Sequence, residues 1–399
     1  MTLSPMQCEY INNATHRWNV KTGATRSGKT FMDIAFTIPY RLRQTHGKSG
    51  LRLLLGATKG TLTRNIIDPL AERWGTSLVS PIRNDNTATL FGEKVYCLGA
   101  DSIRQVNRIR GASVVYCYGD EVTTWNEEVF TMLKSRLDKP DSTFDGTCNP
   151  EGPNHWFKKF IDSGADIYAQ AYTIDDNPFL PASFVAALKQ EYSGTVFYDR
   201  YIDGLWVHAE GLIYPDAADG KCIVPFDPER RYIQYAISMD YGTLNPCSMG
   251  LWGLSDGVWY RINEYYHDGR STHKQLTDEE YYNELENLAD DLPITAVVID
   301  PSAASFITLV RRRNRFRVRH ANNAVLDGIR ATAAAMQTGK VKICDNCVNT
   351  IAEFAAYRWD EESPEDKPIK EHDHAMDDLR YFVMTMVHKN NAGFVTARI

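Results

Sequence analysis

The sequence predicts two α/β domains in tandem, the first built on a mostly parallel sheet and the second on a mixed one. Three observations predict this. Continuous apolar runs, LRLLLGA at 51–57 and SVVYCY at 113–118, alternate with helical stretches, as strands buried on both faces do. A glycine-rich turn, GATRSGKT at 23–30, joins a short strand to a helix. After a Gly/Pro-rich stretch the pattern restarts with closely spaced strands, and 399 residues exceed what one core usually supports.

In the first half, Trp18–Val20 leads into that turn and a helix runs from Lys29 to about Leu42. Ala88–Leu98 reads as a hairpin broken at Phe91-Gly92-Glu93, and Thr143–Cys148 as a further strand. Strands and helices in this alternation imply βαβ units. Residues 155–207 turn helical and aromatic, which gives a first domain over 1–207. The linker falls within 208–230. The second domain, 231–399, opens with Tyr232–Asp240, Cys247–Leu254 and Val258–Tyr266, whose short turns suit an antiparallel meander. A helix follows at about Asp278–Asp290, then a buried strand Ile294–Asp300. Val341–Cys344 is a short strand candidate, and the last helix covers about His374–Val387.

The composition, 43% apolar and 24% charged, is that of a folded protein without low-complexity tracts. No apolar run is long enough to span a bilayer and the start lacks a signal-peptide pattern, so a cytosolic chain is expected. Eight scattered cysteines suit a reducing compartment. Cys344 and Cys347 form one CxxC, for which His372 and His374 can complete a zinc site; the alternative is incidental thiols. A net charge of −7 argues mildly against DNA binding. Clustered metal-binding carboxylates would lower the total without saying anything about a local basic surface.

GATRSGKT matches G-x-x-x-x-G-K-[ST] at every fixed position. Gly23, Ala24, Thr25, Arg26, Ser27 and Gly28 form a loop whose N–H groups can surround phosphate oxygens. Lys29 supplies a charge to the β/γ-phosphates, Thr30 a hydroxyl to Mg²⁺, and the helix N-terminus a favourable dipole. An ATPase also needs acids after a buried strand. VVYCYGDE provides Asp120 for the magnesium and Glu121 to polarise the hydrolytic water. Arg26 either stabilises the transferring phosphoryl group, in cis or in trans, or faces solvent. Gln7, in Pro5-Met6-Gln7, is placed to read adenine.

In the second half, Asp240 and Asp300 each end an apolar strand and Asp377 lies in the last helix. A carboxylate there is costly unless paired or metal-bound. Three such acids make a hard-oxygen site for Mg²⁺ or Mn²⁺, and two ions about 4 Å apart would serve phosphodiester cleavage. His374 shares a helix face with Asp377; Asp373 or His374 either ligates metal or caps the helix. Asp378 is expected at the surface. Lys370 either meets the scissile phosphate or is solvated. Arg311, Arg312, Arg313, Arg315, Arg317 and Arg319 either track a DNA backbone or form a charged face.

The motifs stand in a fixed order: P-x-Q, GATRSGKT, RIRGASVVYCYGDE, GTCNPEGP, DDNPFL, GLWVHAEGLIYP, SMDYG, VVIDPSAA, DHAMDDLRY. This series resembles the large terminase subunit of tailed phages and prophages over nearly the whole chain. The resemblance implies a P-loop ATPase followed by an RNase H-like nuclease. It implies Walker A residues Lys29 and Thr30, a Walker B pair Asp120 and Glu121, and a coupling motif Thr147, Cys148 and Asn149. The position of Cys148 departs from the family's pattern. Asp240, Asp300 and Asp377 match the nuclease metal triad, and His374 a histidine three residues before its last acid. It further implies that concatemeric double-stranded DNA is cut and pumped through a portal into a procapsid in the host cytoplasm. The expected partners are a small terminase subunit and further copies in a ring, commonly of five, with a monomer allowed in solution and no membrane involved. A helicase–nuclease is the competing enzyme reading, but residues 155–230 are too few for a second motor lobe. A non-catalytic portal adaptor would not need Lys29, Glu121 and the acid triad.

Overall fold

The computed structural model describes residues 3–106, 111–242, 246–269, 272–363 and 365–388. Arg108–Arg110 of the RIRG motif and the chain end after 388 lie outside them. The chain forms two compact units, one of residues 1–185 and 198–208 and one of 186–197 and 209–399.

In the first unit the strands are β1 (Trp18–Gly23), β2 (Leu51–Gly56), β3 (Thr87–Leu90), β4 (Glu93–Gly99), β5 (Val114–Gly119), β6 (Thr143–Cys148) and β7 (Ile167–Tyr172). They form one sheet in the order β3-β4-β2-β5-β6-β1-β7, parallel except for the β3–β4 hairpin. That hairpin turns on Phe91 and Gly92, both at positive φ (51° and 84°), the pairing that matches strand twist in a two-residue turn. Alternate residues of the runs read from sequence face opposite layers. Leu53, Leu55 and Cys117 join Trp18, Phe130 and Phe144 on one side, while Leu54, Tyr116 and Tyr118 join Ile38, Leu42 and Leu62 on the other.

The helix after the glycine-rich turn is not uniform. It runs Lys29–Met32, widens to a π-turn over Asp33–Thr37, and resumes over Ile38–Gln44. Pro39 explains the widening. It has no N–H to give to the preceding turn, and its ring would collide with a carbonyl there. A second π-turn, Thr63–Ile67, stands likewise just before Pro69.

The second unit holds β8 (Ile223–Val224), β9 (Gln234–Asp240), β10 (Cys247–Ser255), β11 (Val258–His267), β12 (Ile294–Ile299), β13 (Val318–His320) and β14 (Val341–Cys344). The order is β13-β12-β9-β10-β11-β14-β8. β9, β10 and β11 form the antiparallel meander, and β12 joins β9 in parallel. Residues 186–197, read with the first domain in the sequence, group with this unit, where Ser193–Thr195 line a pocket with Tyr214, Ala333 and Met336.

The last helix, His374–Phe382, lies against β9 and β10. Asp378 is what fastens it, and it is not the surface acid expected. Its side chain is fully buried, 2.8 Å from the Arg261 guanidinium. Ser248 Oγ donates to it at 2.8 Å and Ser238 Oγ donates to its other oxygen. Burial pushes this carboxyl up to about 6 despite Arg261. Room for Arg261 comes from Gly250, where a Cβ would stand 2.3 Å from the guanidinium. Helical periodicity puts position 378 off the Asp373/Asp377 face, but a fixed cation in β11 makes that other face the buried one.

We expect Arg261→Met to lower unfolding free energy by about 3–5 kcal/mol, because it strands a buried carboxylate. The pair Arg261→Met with Asp378→Leu should recover most of the loss in chemical denaturation. Equal stability of the single variant and the native chain would refute the fastening role.

Candidate functional site

The sheet order of the first unit sets three strand ends side by side. β6 lies between β5 and β1, so the turn after β1, the acids after β5 and the end of β6 meet at the carboxyl edge. The turn is held tightly. A Cβ on Gly23 would fall 2.0 Å from the Tyr172 carbonyl oxygen, and one on Gly204 2.3 Å from the same atom. Ala24 N donates to Tyr172 O and Thr25 N to Tyr201 O. Gln7 both closes the cap of the first helix with Ser4 and donates Nε2 to Gly28 O at 3.1 Å. Thr30 follows in the first helical turn.

Lys29 is buried and curls back over the turn. Its ammonium donates to Gly23 O (2.8 Å), Ala24 O (2.5 Å) and Asn149 Oδ1 (3.2 Å). Burial lowers it to about 8, opposed by the fields of Cys148 and Glu121. Asp120 is also buried; burial, then the neighbouring Glu121, pushes it up to about 7. Asn65 Nδ2 donates to one of its oxygens (3.1 Å) and Thr147 Oγ1 to the other (3.4 Å). Glu121 sits in the left-handed region, φ 50°, with its N–H on Thr147 Oγ1.

Thr147 near the end of β6 touches the acids, and Asn149, just past that end, touches the lysine. Cys148, between them, turns into the apolar cluster of Trp18 and Phe144, and burial pushes its thiol up to about 12. A turn with a lysine, flanked by an acid pair, is suited to holding a polyphosphate with its cation. Sequence reasoning missed Asn65, Asn177, Tyr172, Tyr201 and Gly204. Asn177 and Gly204 stand in or beside the quoted motifs DDNPFL and GLWVHAEGLIYP; Asn65 has no local signal, since the sheet order alone brings it to Asp120.

In the second unit Ile299 pairs with Met239, so Asp300 and Asp240 leave neighbouring parallel strands together, with backbones roughly 5 Å apart. Asp240, Asp377, His374, Asp373 and Lys370 line one cleft of about 640 Å³. Asp300 is not among its lining residues. It approaches through Tyr381, whose hydroxyl is raised by burial and then by the charges of Asp240, Asp377 and Asp300. Burial would raise Asp300, but hydrogen bonds from Ser302, Asn323 and Tyr381 outweigh it and hold the carboxyl below its ordinary range. Asp240, by contrast, is raised by burial and by Asp377.

Among the described residues no three acid, histidine or cysteine side chains are gathered ready to hold a metal ion. The protein's own groups engage the carboxylates instead. Lys370 Nζ lies 3.1 Å from Asp373 and 3.4 Å from Asp377. Arg380 lies 2.7 Å from Asp377, and His374 Nδ1 2.8 Å from Asp240. The donor chemistry, carboxylate oxygens with an imidazole beside them, is of the kind that suits Mg²⁺ or Mn²⁺, and in this structure Lys370, Arg380 and His374 engage those oxygens.

Asp373 stands at the N-cap of the last helix, but neither its side chain nor that of His374 caps the helix by a hydrogen bond. Glu353, from another helix, accepts the Ala375 and Met376 N–H groups at 2.7 and 3.2 Å. Cys344 and Cys347 belong to the interior, raised by burial to about 11 and about 12, and form no site with His372 or His374. In the arginine run, Arg313 and Arg315 pair with Glu279 and Glu286, which leaves part of it engaged.

Comparison with known proteins identifies the family of both halves of the chain. Residues 22–218 match the family model "Terminase large subunit, T4likevirus-type, N-terminal", and residues 247–386 match "Terminase RNaseH-like domain". The large terminase of a thermophilic bacteriophage is 34% identical over 97% of this chain and 99% of that one, with a TM-score of 0.84. The chain belongs to the terminase large subunit family. The same thermophilic-phage terminase solved with ADP is 36% identical, and with ATP-γ-S 35% identical, each at TM-score 0.83 over 96% of this chain and 99% of that one. The large terminase subunit of Escherichia phage T5 is 23% identical, covering 94% of this chain and 88% of its own length. The first unit is thus the terminase α/β domain with its mostly parallel sheet, and the mixed sheet of the second is RNase H-like.

His374 supplies a direct check on the second cleft. Burial lowers its pKa, but the hydrogen bond and charge of Asp240 outweigh this and raise it above the ordinary 6.5. The pair therefore stabilises the fold fully below about 6.5, and that contribution is lost as pH rises through the folded value. Asp240→Asn should move the His374 titration, read by NMR, to lower pH. An unmoved titration would contradict the pairing.

Proposed function

We propose that this terminase large subunit hydrolyses ATP to drive double-stranded DNA through a portal into a procapsid, and cuts concatemeric DNA at a separate metal-dependent centre. The division of labour is residues 1–207 for ATP hydrolysis and 231–399 for cutting, joined through 208–230.

The observation that carries the motor reading is the contact of β6 with both halves of the first site. Lys29 holds Asn149, and Thr147 holds Asp120 and the Glu121 N–H. On binding ATP, Lys29 exchanges the Gly23 and Ala24 carbonyls for phosphate oxygens and releases Asn149. Thr30 and Asp120 would hold Mg²⁺, and Glu121 would orient the attacking water. Thr147 and Asn149 carry the change along the strand, and Arg26 meets the γ-phosphate. Gln7 reads the adenine edge. The nucleotide complexes of the thermophilic-phage relative support ATP as the ligand.

In the second site Asp240, Asp300 and Asp377 would hold Mg²⁺ or Mn²⁺. Such ions, when bound, activate water and neutralise the leaving oxygen. His374 orients Asp240, and Lys370 exchanges Asp377 for the DNA phosphate. The resemblance supplies the partners: portal, small terminase subunit, and a ring of five during packaging in the host cytoplasm. No helix among the described residues is long and apolar enough to cross a membrane.

Two substitutions test the halves separately. Glu121→Ala should cut DNA-stimulated ATP hydrolysis by at least about 100-fold while nucleotide binding persists; unchanged turnover rejects the assigned acid. Asp300→Ala should abolish Mn²⁺-dependent plasmid cutting and leave ATPase activity in place. Retained cutting would put the nuclease centre elsewhere.

A further inference from the structure

We propose that Asn177 is a positioning residue for the nucleotide loop, holding Arg26 in the left-handed backbone conformation that aims the next N–H at phosphate. This inference rests on the ATP reading above.

Arg26 has φ 59°, a region that disfavours an ordinary L side chain by roughly tenfold or more. No glycine relieves this position, so an outside contact must favour the conformation. Asn177 makes that contact: its Nδ2 donates to Arg26 O at 2.7 Å. The amide is itself fixed, because Asn177 Oδ1 accepts from Phe179 N at 3.2 Å. Pro178 disfavours the helical region for Asn177, whose backbone lies outside it at φ −104° and ψ 89°.

The consequence follows from peptide geometry. In a trans peptide the C=O and the following N–H point in opposite directions. A carbonyl of Arg26 turned toward Asn177 therefore turns the Ser27 N–H the other way, into the loop. Two residues on, Gln7 donates to the Gly28 carbonyl, which also accepts the Met32 N–H as the first bond of the helix. With Tyr172 on Ala24 and Tyr201 on Thr25, residues 24, 25 and 26 are each tied to the segment 172–201. Asn177 is the side chain in that series, and so the part of the clamp that a substitution can remove.

The test is a double-mutant cycle on ATP-γ-S binding, read by calorimetry. Asn177→Ala should weaken binding about three- to tenfold, the range of one lost hydrogen bond, with the melting temperature lowered by no more than about 4 °C. Asn177→Asp, of the same shape but facing the carbonyl with an acceptor, should weaken it more. In an Arg26→Gly background, where left-handed backbone carries no steric penalty, Asn177→Ala should cost less than about twofold. Native-like binding by both Asn177 variants, or an equal loss in the glycine background, overturns the inference alone. A native chain that binds no ATP-γ-S overturns it together with the ATP reading.

Discussion

Parallel pairing of neighbouring strands is the constraint on which both sites rest. Strands that run the same way in register end at the same edge, and whatever residue follows each strand is delivered to a common place. In the first unit β5, β6 and β1 deliver Asp120, Asn149 and the loop ending in Lys29. In the second, β9 and β12 deliver Asp240 and Asp300 side by side. The strand ends, Asp120 beside Asn149 and Asp240 beside Asp300, are thus gathered by strand pairing, and the last helix adds Asp377 to the second.

Burial then gives these groups their properties. A charge removed from water is unfavourable unless it finds a partner. Lys29 answers this with carbonyls and Asn149, and Asp120 with Asn65 and Thr147. Both are left in a state that a nucleotide and its cation would relieve. In the second cleft Lys370, Arg380 and His374 neutralise carboxylates that would otherwise repel one another. Asp378 is the contrasting case. Its partner Arg261 is permanent and interior, so the same chemistry serves to seat the last helix rather than to bind.

Much of the chemistry was legible along the chain. The apolar runs marked β2, β5, β9 and β12, and the spacing of GATRSGKT marked the loop. The hairpin at Phe91-Gly92 followed from its turn residues. Other features had no local signature. Residues 186–197 group with the second unit through contacts with segments distant in sequence. The supporting contacts of Asn65 on Asp120 and Glu353 on the last helix join residues far apart, and no spacing rule anticipates them. The interior place of Asp378 is equally hidden, because helical periodicity names a face without saying what that face meets.

The sequence by itself determined which residues can do chemistry: local motifs specify a phosphate-binding turn, strand-end acids and a helix bearing Asp377, because these depend on backbone geometry over a few residues. The tertiary structure alone decided that the acid turned away from Asp377's face is buried and structural, and which amides hold the loop. Those outcomes depend on strand order and on the placement of Arg261, Asn65 and Asn177, where a few ångströms and the exclusion of water determine whether a charge is available to a ligand or already engaged.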